Sequence, residues 1–337
     1  MGGPEASKRL HPAVLRLGYE YATGQVREEN DRCRCMMQAF EEVVNDWEYT
    51  PSGAAGKSGA SDFRHQLVHN VLKPSFTYWT EQCRPHSTCM GNAFSFLKSA
   101  VATLDRDAEW NDQTKTVLKE TMQQYVRERI DFATVAIAKN AAHKIVDGDV
   151  IMTYGDSEVV RVLLLQAQAA GKRFRVVVVD SRPLLEGKTL LRRLRRSSLD
   201  CTYVLLNSVS FVMQEVTKVF LGAASLNSDG SVLSRVGTAC VALSGKSMGI
   251  PVLVCGETYK ISNRVQLESI TNNEMGNPQD VLSPDKLGPN LRVINLLYDL
   301  TPSDFVSGII TEMGILPPTS VAVLLREMNP QDSASII

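Results

Sequence analysis

No stretch of the chain approaches the roughly 20 consecutive apolar residues that span a bilayer. Its apolar runs are strand-sized, which excludes membrane insertion. A surplus of either charge is lacking too: 36 Lys and Arg stand against 37 Asp and Glu, a formal net charge of −1. No global field therefore draws the protein to nucleic acid or to an anionic membrane, and any charged contact must be local. The seven cysteines, Cys33, Cys35, Cys83, Cys89, Cys201, Cys240 and Cys255, are odd in number, and no charged-then-apolar signal segment precedes them. A reduced, cytosolic protein is expected. No internal repeat of fixed period is present.

What is present is length and periodicity. At 337 residues the chain has room for two domains, each with its own core. The first part reads as helical: Pro12 suits a first helical position, followed by Val14, Leu15 and Leu17, and Met36, Phe40, Val43, Val44 and Trp47 recur at helical spacing. "TPSGAAGKSGASD" (50–62) reads as a mobile loop. Helical patterns resume over 63–72 and from about Lys115 to Lys144, where Met122, Val126, Ala133, Ile137 and Ala141 share a face. From Val150 the pattern changes to short apolar runs, "VIMTY", "FRVVVV", "TYVLL", "KVFLG" and "PVLVC", separated by helix-sized segments. Strands buried on both faces have this composition. The expected fold is α/β: an N-terminal α-helical domain (1–145) followed by a Rossmann-like, doubly wound parallel sheet domain (146–337).

Ligands in such sheets bind outside the carboxyl ends of the strands, which selects four turns: Tyr154 to Ser157, Asp180 to Gly187, Gly222 to Gly230, and Cys255 to Lys260. In the first, Gly155 permits a tight turn and Ser157 can cap the next helix, whose N–H groups could hold an anion; an ordinary strand-to-helix connection is the favoured reading, since G-x-G-x-x-G is absent. In the second, Asp180 and Arg182 either meet a ribose hydroxyl and a phosphate or pair with each other, while Pro183 and Gly187 shape the loop. Arg192, Arg193, Arg195 and Arg196 fall on one short helix, read as a solvated face or a protein contact because no aromatics are interleaved for base stacking.

Several motif-like strings carry no chemistry. "GAAGKS" (53–58) has two residues rather than four between its glycines and no strand before it. "GKSMG" (245–249) puts Ser247 between a helix and a strand, the reverse of a nucleophile elbow. "CRC" (33–35) lacks the gap and partner cluster of a zinc site. The histidines, His11, His65, His69, His86 and His143, all precede the sheet turns, and the His65–His69 pair has no third ligand in view, so neither metal nor cofactor is expected.

The strings "FRVVVVDSRPLLEG" (174–187), "SRVGTA" (234–239), "PVLVCGETYK" (251–260) and "NLLYDLTPSDFVSGIITEMG" (295–314) resemble the delta-subunit family of eukaryotic translation initiation factor 2B. So do "HPAVLRLG" (11–18), "QCRP" (82–85), "GNAFSFLKS" (91–99) and "LPPTSVAVLLRE" (316–327), so the likeness spans almost the whole chain. The same superfamily holds isomerases of methylthioribose 1-phosphate and ribose 1,5-bisphosphate, which share "RP" at Arg84 and Pro85, "RPLLEG" and "VGT" at Val236 to Thr238. Their pattern has a catalytic cysteine where this chain has Gly155, a catalytic aspartate where it has Ala224, and an Asn-Lys pair where it has Ser234 and Arg235. An isomerase with displaced groups would have to work from Asp156 or Asp229.

The resemblance implies a non-catalytic regulatory subunit that assembles with alpha, beta, gamma and epsilon subunits and helps sense phosphorylation of the alpha subunit of initiation factor 2. It implies a vestigial pocket at Gly155, Asp156, Arg182, Ala224, Arg235 and Thr238. An interface with a homologous subunit is expected at an apolar sheet edge: Tyr298, Asp299 and Pro302, with a C-terminal strand at Val321 to Leu325. The arginines at 192, 193, 195 and 196 are expected to meet a partner protein. Two departures accompany the likeness: the long polar N-terminal extension common in this subunit is lacking, and the segment Val281 to Asn290 is short.

Overall fold

The computed structural model describes residues 10–49, 62–105, 108–266, 268–271, 273–283, 285 and 290–328. The loop expected at 50–62 and the string 53–58 lie outside the described residues except for Asp62, and the short segment 281–290 is described only at 281–283, 285 and 290. The chain divides into two compact units, Met1–Asp131 and Phe132–Ile337.

The first unit is helical: α1 (Pro12–Ala22), α2 (Glu29–Asp46), α3 (Asp62–Gln66), α4 (Lys73–Tyr78), α5 (Thr88–Ala102) and α6 (Asp112–Val126), with wider π-type turns at Leu67–Leu72, Trp79–Cys83 and Arg127–Phe132. α2 shows why these segments are helices. Cys33, Met36, Met37, Phe40, Val43 and Val44 recur at three- and four-residue intervals and are all buried on one face. That burial also explains "CRC": Cys33 is core and Cys35 half-buried on the same helix. Trp79 is fully buried, packs on Phe40 at 5.0 Å between ring centroids, and donates its indole N–H to the Val14 carbonyl at 2.8 Å.

The second unit holds α7 (Ala133–Ala142), β1 (Val150–Tyr154), α8 (Glu158–Ala169), β2 (Arg175–Asp180), α9 (Gly187–Arg196), β3 (Asp200–Leu205), α10 (Val209–Val212), β4 (Lys218–Gly222), β5 (Ser225–Asn227), β6 (Val232–Arg235), α11 (Thr238–Ser247), β7 (Val252–Cys255), β8 (Ile261–Ser262), β9 (Tyr298–Thr301), β10 (Gly308–Thr311), β11 (Gly314–Leu316) and α12 (Val321–Met328). Among the described residues the main sheet runs β11-β10-β7-β4-β1-β2-β3, parallel throughout except for the β10–β11 hairpin. Successive residues of a strand point to opposite faces, and here they enter two different cores. Ile151, Val176 and Val178 join α7, α8 and α9, whereas Met152, Val177 and Val179 join α10, α11 and α12. This is the doubly wound arrangement expected.

Three features differ from expectation. The division falls at 131/132 rather than near 146, because Ile137, Ala138, Ala141 and Ile145 are buried in one core with α8; His143 consequently goes with the second unit. The stretch Val321 to Leu325 is the helix α12 rather than a strand, since Val321 and Leu324, three apart, are what it buries. A second sheet, ordered β8-β5-β6-β9, was not foreseen.

Candidate functional site

The carboxyl ends of β1 and β2 wall an open pocket with an empty volume of about 370 Å³. Tyr154 and Gly155 come from β1 and its turn, Asp180 to Glu186 from β2 and its loop, Arg235 and Val236 from the end of β6, and Asn295 to Leu297 from the segment before β9. The second sheet thus closes a site that the first sheet opens. Gly155 is left-handed, at φ +65°, and a Cβ there would meet nothing within 4 Å, so the turn leaves this wall bare.

The polar groups of the wall are paired with one another. The Tyr154 hydroxyl lies 2.6 Å from Ser181 Oγ and donates to the Val236 carbonyl, and burial raises its pKa. A side chain on Gly237, at φ +108°, would collide with that hydroxyl. Asp180 is buried and accepts from the Ser181 N–H and the Tyr203 hydroxyl, each at 2.9 Å. Arg235 is gripped by Glu186 along two bonds, Nε to Oε2 at 3.0 Å and Nη2 to Oε1 at 3.1 Å, with the guanidinium 5.0 Å from the Tyr298 ring centroid. Asp299 Oδ2 accepts from the N–H groups of Gly237 at 2.7 Å and Ala239 at 3.0 Å, at the start of α11. Burial outweighs those bonds and pushes the Asp299 carboxyl up to about 6.

Of the expected pocket residues, Gly155, Arg182 and Arg235 do line it. Asp156 turns instead to Arg161 at 3.1 Å and Arg193 at 3.6 Å; burial raises its pKa in spite of both arginines. Ala224 donates its N–H to the Leu233 carbonyl, and the Thr238 hydroxyl donates to the Arg235 carbonyl at 2.6 Å; neither residue lines the pocket. Ser157 takes the N-cap position of α8 without a side-chain capping bond. Asp180 and Arg182 do not pair: the acid is spent on Ser181 and Tyr203, while Arg182 stands exposed at the pocket mouth.

The expected interface residues are also redistributed. Tyr298, Asp299 and Val321 are buried within the chain itself; β9 is the end strand of the second sheet, paired with β6 on one side and bonded to Asn273 and Ser269, while Pro302 is exposed and Leu325 half-buried. The arginines at 192, 193, 195 and 196 do share one helix, α9, whose Leu190 and Leu194 are buried while all four arginines are exposed. Sequence reasoning missed Glu186 and the Asn295–Leu297 wall. Glu186 stands in plain view in "RPLLEG", but its partner lies 49 positions away.

Among the described residues no helix is long and apolar enough to cross a membrane. Residues 25–318 match the model of the initiation factor 2 subunit family. Translation initiation factor eIF2B subunit delta of Schizosaccharomyces pombe is 39% identical over 96% of this chain and 70% of its own length. The Dictyostelium discoideum protein of the same description is 38% identical over 97% of this chain, which spans 53% of that relative. A ribose 1,5-bisphosphate isomerase of Thermococcus kodakarensis is 27% identical over 85% of this chain and 92% of its own. A chain of the tetrameric eIF2B beta2-delta2 complex of C. thermophilum superposes with a TM-score of 0.81 at 34% identity, covering 92% of this chain and 94% of that one.

Proposed function

The chain belongs to the initiation factor 2 subunit family, and from that premise we propose that it is a non-catalytic regulatory subunit, of the delta type, of the guanine-nucleotide exchange factor for translation initiation factor 2. The observation that carries this reading is the likeness of 96–97% of this chain to two delta subunits, together with its superposition on a chain of a beta2-delta2 complex.

The pocket chemistry supports the non-catalytic part. Isomerising an open-chain sugar moves a proton between neighbouring carbons and needs a positioned acid or base. Gly155 faces the pocket with no side chain to offer, and Ala224 has neither a titratable group nor a place in the lining. The displaced alternatives are engaged elsewhere: Asp156 with two arginines, and Asp229 with the Ser231 N–H at 2.9 Å and hydroxyl at 2.6 Å. No observation in the pocket favours the isomerase reading.

In this role the chain assembles in the cytosol with alpha, beta, gamma and epsilon subunits, without nucleic acid, and its core helps distinguish initiation factor 2 whose alpha subunit is phosphorylated. Discrimination requires different affinity for the two forms, and a phosphate, or a loop it orders, meeting arginines supplies it. The exposed arginines of α9 are the proposed partner contact. A tagged pull-down from the native cytosol, with co-purifying proteins quantified, tests the assignment: the four other subunits in near-equal amounts together with initiation factor 2 are expected. Recovery of the chain alone, as a homodimer, would overturn it.

A further inference from the structure

One feature of the pocket lining commonly binds phosphate, the guanidinium of Arg235, and a second lies outside the lining just behind Val236, the N-terminus of the ten-residue helix α11. Both are occupied by carboxylates of the chain itself. Glu186 holds Arg235 through two bonds in the geometry by which arginine recognises a carboxylate or phosphate, with the two side chains only 18% and 20% exposed. Asp299, 8% exposed, takes the Gly237 and Ala239 N–H groups at the helix start. The neighbouring donors are spent as well, the Tyr154 hydroxyl on Val236 and the Ser181 N–H on Asp180. What remains in the lining without an ionic partner among the described residues is Arg182, exposed at the mouth.

We propose that Glu186 is a resident anion that shuts this pocket to phosphorylated small molecules, with Asp299 occupying the helix start behind it. An entering phosphate must displace a carboxylate tethered to the same chain, and so competes with a high effective concentration. It would also face Glu186 and Asp180 at close range in a partly desolvated site, where like charges repel strongly. Neutralising Glu186 removes the competitor and the repulsion together and frees the guanidinium. The inference goes beyond the assembly reading and stands apart from it, since a closed pocket and a subunit interface are separate properties of the chain.

The test titrates inorganic phosphate calorimetrically into the full chain and into Glu186→Gln, which keeps the size of the side chain. The wild type is expected to show no saturable heat at millimolar phosphate. Glu186→Gln is expected to gain one saturable site, at least about tenfold tighter, as one charge-assisted hydrogen-bond pair would give, and to lose it when Arg235→Met is added. Phosphate binding by the wild type that disappears in Arg235→Met would overturn the proposal, and so would a folded Glu186→Gln that binds no better than wild type. Glu186→Ala carries the same comparison if the glutamine variant melts below the working temperature.

Discussion

Asp299 carries a cost that its position explains. Its carboxylate caps α11 through Gly237 and Ala239, yet burial raises its pKa to about 6, against an ordinary value of about 3.9. The folded chain therefore binds the proton more tightly than the unfolded one. The resulting stability is fully present below about pH 4 and is lost as the pH rises through about 6. At ~1.4 kcal/mol per unit the loss is about 2–3 kcal/mol. Asp299→Asn keeps an oxygen for the two N–H groups but does not ionise. Denaturant unfolding at pH 4 and pH 7 should show the variant gaining about 2–3 kcal/mol on wild type between those values. A constant difference across that range would mean the carboxyl titrates normally. The same expense is what holds a negative charge beside the pocket at neutral pH.

At the scale of the element, legibility in the sequence followed sequence distance. β1, β2 and β4 were readable because each contains a run of three or more apolar residues feeding both faces of a sheet, and the turns after β1 and β2 then pointed to the pocket. β5, β6, β8 and β9 are two to four residues long, and although β5 and β6 form a local hairpin, β8 and β9 join them across wide gaps, Arg235 with Tyr298 for example, so no local pattern announces the sheet. α12 misled because "VAVLL" alternates like a strand while also placing Val321, Leu324 and Leu325 at helical spacing. α9 was legible, since its leucines and arginines separate cleanly on one turn pattern. Arg193 is tied to Asp156, whereas Arg192 and Arg196 project without ion pairs among the described residues. Arg192→Glu with Arg196→Glu should leave the melting temperature within a few degrees, as exposed substitutions change stability by about 0.5 kcal/mol. It should weaken subunit assembly or the response to phosphorylated initiation factor 2. If both survive the charge reversal in a pull-down and an exchange assay, the face is only solvated.

For the whole molecule, the sequence placed the division too late because an apolar helical period continues through residues 112–142 while the packing partner changes along the way. Periodicity reports the existence of a buried face and says nothing of which core receives it. In the structure Ile137, Ala138, Ala141 and Ile145 are fully buried with Val159, Val160, Leu163 and Leu164 of α8. Removing α7 and the turn after it would strip the first set from water-free surroundings and expose the second. The two isoleucines alone contribute about 3–6 kcal/mol, a large share of the roughly 5–15 kcal/mol that holds an ordinary domain folded. A fragment beginning at Phe132 and ending at the C-terminus should therefore melt as one cooperative unit by circular dichroism. One beginning at Val146 should be aggregated or melt without a cooperative transition. Equal melts for the two fragments would detach α7 from this core and return the division to residue 146. A failure of the longer fragment alone would mean that the sheet unit depends on the first 131 residues to fold.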